Sequence, residues 1–129
     1  MTREEVFKFL ERFKHESINK IYKSEDGGQI VLESTCGQHI CLVAEGECCN
    51  SVWFEHMSGS EAFEGARVRF IKLPEHVDAH AFVHIVTDRG RCTLEVRNDN
   101  GESGYEYGGE VDIRDEFHIH ELKEVKGDF

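Results

Sequence analysis

Eight histidines and five cysteines in 129 residues are the part of this sequence best equipped for chemistry. Neutral imidazole and thiolate are the ligands zinc prefers, so their spacing is the first thing to weigh. Cys48, Cys49 and His56 gather around a loop and a short strand. They are the candidate metal ligands, and a structural zinc is the cofactor they would hold. Other pairs have chelating spacing on one side of an extended strand: His118 with His120, His80 with His84 around Phe82, and His39 with Cys41. His76, His80 and His84 also fall four apart, as on a helix face. The β-rich run Phe82-Val83-His84-Ile85-Val86 ahead of a turn favours a strand instead. No Cys-x-x-Cys pair accompanies these residues.

Catalytic signatures are missing. The chain has no Gly-rich phosphate loop ending in Lys-Ser/Thr, no dinucleotide fingerprint, no Gly-x-Ser-x-Gly elbow and no His-Glu-x-x-His. No catalytic residue is assigned, and the expectation is a protein that is not an enzyme.

Binding chemistry has a different source, the charge. The net charge is −11, and from Asp99 onward ten acidic residues face only Arg114, Lys123 and Lys126, so that quarter carries −7 of it. Such a field repels phosphate backbones, and the expectation is no direct contact with nucleic acid. The basic concentrations, Arg67/Arg69/Lys72 and Arg89/Arg91/Arg97, are interleaved with apolar residues at strand spacing. An acidic face fits the converse partner, a protein with a basic surface or a nucleic-acid-binding groove. Tyr105-Glu106-Tyr107-Gly108-Gly109 adds two aromatic rings on a Gly-flanked acidic segment, a form suited to a recognition tip. The candidate partner-binding residues are therefore Glu102, Tyr105, Glu106, Tyr107, Glu110, Asp112, Asp115 and Glu116.

The elements that must position these groups follow from periodicity. Thr2 and Glu5 have capping-box spacing, and Val6, Phe9, Leu10 and Phe13 recur at helical intervals, which predicts a helix over about 3–14. The pattern then changes to period two. Strands are expected around Ile18–Tyr22, Ile30–Glu33, Gln38–Val43, Val52–Phe54 and Ala66–Leu73, with one helical turn at Ser60–Glu64. A hairpin runs from Ala79 to Thr87, turns at Asp88-Arg89-Gly90-Arg91 and returns over Cys92–Arg97. On its first arm Ala81, Val83 and Ile85 share one face, and His80, Phe82, His84 and Val86 share the other. A Gly/Asn/Ser-rich stretch over 98–109 reads as a loop, followed by strands near Val111–Ile113 and Phe117–Leu122. These elements predict an α+β fold in a single domain over 1–129. An N-terminal amphipathic helix would pack on a curved, mostly antiparallel sheet of six to eight strands, with the β-rich body spanning about 15–124. No run approaches the ~20 apolar residues of a membrane span, and no apolar stretch of a secretory leader follows the charged start. With an odd number of cysteines, reduced thiols in the cytoplasm are expected.

The segments Ile30-Val31-Leu32-Glu33, Ile40-Cys41-Leu42 and Ala44 through Cys48-Cys49-Asn50 to Trp53-Phe54-Glu55-His56 resemble a double-cysteine domain family of bacteriophages and prophages. Leu94-Glu95-Val96, Asn100-Gly101-Glu102-Ser103-Gly104-Tyr105 and Tyr107-Gly108-Gly109 are similar to that family's C-terminal segment. The resemblance covers roughly residues 15–113. It implies a small mobile-element protein and draws attention to Cys48, Cys49, Glu55 and His56, without implying an activity. By analogy of size and charge, the leading expectation is an inhibitor of a host defence system, anti-CRISPR-like, acting by stoichiometric binding. One alternative is a metal-dependent enzyme or metal-stabilised domain built on Cys48, Cys49 and His56, joined by His80 or His84. The other is a small-nucleotide sponge with the Gly/Tyr loop as lid.

Overall fold

A computed structural model describes residues 3–47, 50–99, 108–114, 117 and 121–129 of the chain. It begins with helix α1 (Arg3–Phe13), which has Glu4 and Glu5 in its first turn and Arg12 in its last, each matching the helix dipole. His15, with φ +74°, turns the chain out of the helix. Nine strands follow among the described residues: β1 (Ile18–Ser24), β2 (Gln29–Ser34), β3 (His39–Gly46), β4 (Val52–Ser58), β5 (Val68–Lys72), β6 (His80–Thr87), β7 (Gly90–Asn98), β8 (Gly109–Arg114) and β9 (Leu122–Val125). A 3-10 turn at Ser60–Phe63 stands between β4 and β5. No helix among the described residues is long and apolar enough to cross a membrane.

The strands form two antiparallel sheets. One has five strands in the order β8-β3-β2-β1-β9, the other four in the order β4-β7-β6-β5. Alternation decides which side chains meet between them. Ile30 and Leu32 of β2 and Ile40 and Leu42 of β3 point inward from the first sheet. Phe54 of β4, Val83 and Ile85 of β6 and Leu94 and Val96 of β7 come from the second. All nine are completely buried in one shared core. Each contributes about 1.5–3 kcal/mol of burial, the main force holding the sheets together. A smaller cluster, Val31, Cys41 and Val43 with Tyr22, Phe117 and Leu122, covers the outer side of the five-stranded sheet.

This architecture corrects the expected α+β fold. The protein is a mostly antiparallel β structure in two sheets, not a helix packed on one sheet of six to eight strands. The inner face of each sheet is covered by the other, so the core is closed sheet on sheet rather than by the helix. Among the described side chains of α1, those near its end meet the core. Phe13 enters the core, Leu10 packs at its margin, and Phe7 stays 65% exposed. The link to β5 is backbone pairing: His15 N–H donates to Val68 O (2.7 Å) and Val68 N–H to Glu16 O (2.8 Å). The final strand also differs in place, at Leu122–Val125 rather than Phe117–Leu122.

Local chemistry sets the turns. Between β1 and β2, Asp26 Oδ1 accepts from Ser24 Oγ (2.7 Å) and Gly28 N–H (2.8 Å), while Gln29 N–H donates to Ser24 Oγ (2.9 Å). These donors hold the Asp26 carboxyl below the usual carboxylate range, the Gly28 amide being the larger cause. Gly27 within this turn has φ +76°, and a Cβ there would lie 3.3 Å from Phe54 O. The turn can therefore lie against β4, where Phe54 N–H donates to Gly27 O (2.8 Å).

Candidate functional site

The registers carry several chain crossings to one end of the molecule. Gly46 at the end of β3 pairs with Gly109 at the start of β8, and Val52 at the start of β4 pairs with Asn98 at the end of β7. The double-cysteine segment and the Gly/Tyr segment leave from this end. Two asparagines fasten their flanks. The Asn50 amide donates to Asn98 Oδ1 (2.8 Å) and to Gly108 O (3.1 Å), and Asn50 Oδ1 accepts from Glu47 N–H (2.9 Å). Asn98 is buried, and its own amide donates to Val77 O (3.1 Å). Ser51 N–H donates to Asp99 Oδ1 (2.8 Å), and Asp99 N–H donates back to Ser51 O (3.1 Å). Val77 and Gly109 exchange two backbone hydrogen bonds. Among the described residues no buried side-chain nitrogen or oxygen lacks a partner.

The packing leaves no slack around this node. A Cβ on Gly46 would lie 2.5 Å from Asn50 O, and one on Gly109 would lie 2.8 Å from Val52 Cγ2. The flanking residues Glu47, Asn50, Asn98 and Gly108 are thus held side by side.

Carboxylates collect at this node and along the adjoining edge strand. Glu45 lies opposite Glu110 across β3 and β8, and Asp112 lies opposite Val43. Glu47, Asp99 and Glu110 are exposed. Asp112 accepts from Ile113 N–H (2.8 Å), and Arg114 bonds Glu45. Of the candidate partner-binding residues, the structure places Glu110 and Asp112 on β8. Glu102, Tyr105, Glu106, Tyr107, Asp115 and Glu116 lie outside the described residues. The sequence reading did not pick out Glu45, Glu47, Asn50 or Asn98. Asn50 sits within the double-cysteine motif, but asparagine in such a stretch reads as a turn residue.

The candidate metal ligands are dispersed in what can be described. Cys48 and Cys49 lie outside the described residues, as do His118 and His120. His56 is exposed on β4, opposite Glu95 at a bulge. His39 Nε2 is bonded to Glu33 Oε1 (2.9 Å), and its ring lies 5.1 Å from that of Phe117. Cys41 beside it is buried, and burial pushes its thiol up to about 11. His80 and His84 lie on the outer side of β6 with Phe82 between them. Among the described residues, no group of three or more His, Cys, Asp and Glu is arranged to hold a metal ion.

Open clefts among the described residues flank the body. One is lined by Lys20, Glu61, Glu64, Arg67, Asp88 and Glu124, among others, where β1 and β9 approach the 3-10 turn. Another runs between α1 and the end of β5, lined by Phe7, Leu10, Ile71 and Leu73 through His76.

The class defined by this fold and site is a small two-sheet β protein with carboxylates gathered at one end. A domain of unknown function (DUF7448) matches residues 6–113, and the chain belongs to that family. The matched region contains both fastened flanks and stops at the end of β8. No curated protein and no solved structure matches the chain.

Proposed function

We propose that this protein acts by stoichiometric binding, presenting its acidic end to a basic surface on another protein. The observation that supports the reading is the Asn50–Asn98 node, which joins the described flanks of the double-cysteine and Gly/Tyr segments beside Glu45, Glu47, Asp99, Glu110 and Asp112. A rigid base of like charge steers association and makes it fast and salt-sensitive. β8 is also an edge strand of its sheet, so it offers backbone groups beside the carboxylates.

In the phage or mobile-element setting implied by the double-cysteine resemblance, the target is a host defence machine, and the basic surface is a groove that otherwise holds nucleic acid. The test is affinity capture from host lysate at low and at physiological salt. It compares the native chain with a variant carrying Glu47→Lys, Glu110→Lys and Asp112→Lys. A basic protein retained by the native chain and lost from the variant, with retention falling as salt rises, is the expected result. Equal retention by both chains refutes the reading.

A further inference from the structure

We infer that the outer face of the four-stranded sheet is a stacking platform for single-stranded nucleic acid, built on Phe82, His84 and Phe70 with Lys72 and Arg91. This inference concerns the side of the molecule formed by β4, β7, β6 and β5, and it stands apart from the acidic end.

Three large apolar side chains are exposed among the described residues: Phe7, Phe70 and Phe82. Two of them lie on this sheet, Phe70 at 55% and Phe82 at 42% exposure. Alternation along β6 sends Val83, Ile85 and Thr87 into the core and leaves His80, Phe82 and His84 outside. The three outward rings form a continuous row. His80 and Phe82 meet edge to face at 5.7 Å between centroids, and Phe82 and His84 stack at 6.3 Å with an interplanar angle of 18°. Phe70 on β5 is opposite Val86, one outward position beyond His84. Flat π-faces in a row on a sheet are what unstacked bases require, and base stacking tolerates any sequence.

The cations come from two separate stretches of chain. Lys72 on β5 lies directly opposite His84, and Arg91 on β7 is opposite Val86, so both flank the ring row from either side of β6. Burial, Arg91 and Lys72 together hold His84 below its ordinary value, in that order of effect. The imidazole is therefore a neutral ring near neutral pH, suited to stacking rather than to repelling its neighbours. Two outward carboxylates of this sheet are already engaged, one of them, Glu95, directly opposite Phe82. Glu95 is ion-paired to Arg97 at 3.1 Å, and Glu55 accepts from the Trp53 indole. Beyond that ion pair, at the end of the row formed by His84 and Phe70, the cations Lys72 and Arg91 flank the rings. A phosphate backbone complements that end of the row, while the net charge of −11 restricts the contact to a short footprint. The expectation of no nucleic-acid contact follows from total charge; this local arrangement is what total charge conceals.

The test is fluorescence anisotropy with labelled oligo-dT and oligo-U, against a duplex of equal length and a poly-glutamate of similar charge. Binding of either single strand, with the duplex and poly-glutamate bound less tightly, is expected. Phe82→Leu should weaken binding by about tenfold, the scale of one lost stacked base. Phe82→Tyr should restore it. Arg91→Ala should flatten the log-affinity against log-salt slope by about 0.7, as for one lost single-strand phosphate contact. Matching circular dichroism and melting curves show that the variants fold. Failure of both single strands to bind overturns the inference. So does equal binding of poly-glutamate, or equal binding by Phe82→Leu and the native chain in a folded state. Loss of protein capture in the lysate experiment leaves these results unaffected, so the two readings fail separately.

Discussion

Removing the Asn98 side chain probes how firmly the acidic end is anchored. In Asn98→Ala the carbonyl of Val77 loses one donor but keeps Gly109 N–H (3.0 Å). The Asn50 amide loses Asn98 Oδ1 and keeps Gly108 O (3.1 Å). Two hydrogen bonds, one buried and one partly buried, at about 1 kcal/mol each, plus a small cavity, give a loss of about 2–3 kcal/mol. Asn98→Asp sharpens the test. It retains an acceptor for Asn50 but turns a second oxygen toward Val77 O, and it buries a charge. The folded-state pKa of that new carboxyl rises above its unfolded value of about 3.9, so the penalty is absent well below that value and grows as pH rises. Urea unfolding should therefore show Asn98→Asp losing more stability at pH 7 than at pH 5, relative to the native chain. A double-mutant cycle with Asn50→Ala should give a coupling of about 1 kcal/mol, because the two amides share a bond. Additive losses, or an Asn98→Ala cost below about 1 kcal/mol, would refute the claim that this node anchors the flanks.

Other outcomes follow from the same structure. Gly59 has φ +81°, and a Cβ there would lie 2.4 Å from Arg91 O, so Gly59→Ala should lower stability by about 2 kcal/mol or more in urea unfolding. Burial pushes the thiols of Cys41 and Cys92 up to about 11 and about 12, whereas Cys36 is exposed. Of these three, iodoacetamide at pH 8 should label Cys36 in the folded protein and the other two only after unfolding, as read by peptide mass spectrometry. Hydrogen bonds from Ser60 and Gly59 hold Asp128 below the usual carboxylate range, and the Gly28 and Ser24 donors do the same for Asp26. Both depressed carboxyls contribute stability that is present above their unfolded value and lost as pH falls below about 4. Replacing both with Asn should flatten that acid-side loss in melting curves; since both are largely exposed, the change is below about 1 kcal/mol.

Much of the fold was legible because alternation is a local signal. The face assignments on β6, Ala81/Val83/Ile85 against His80/Phe82/His84, hold along the strand, and the turn at Asp88-Arg89 falls where the sequence places it. Alternation does not say which strands share a sheet. β3 pairs with β8 although some seventy residues separate Cys41 from Arg114, and this pairing makes the five-stranded layer that covers the second sheet. The helix looked like a layer because of its apolar stripe; in the structure Phe13 enters the core while Phe7 stays exposed. The acidic end was visible as a charge imbalance. Its anchor was not, because Asn50 and Asn98 are typical of turns and meet only through the β4–β7 pairing. Lys72 and Arg91 likewise belong to separate basic stretches until β5 and β7 flank β6.

Hydrogen–deuterium exchange of the complex with the captured basic protein tests the binding account most directly. Slowed exchange confined to the acidic end, at Glu45–Glu47 and Asn50–Ser51 and along β8 from Gly109 to Asp112, is the predicted footprint. Protection centred elsewhere, with exchange at those amides unchanged, would contradict it.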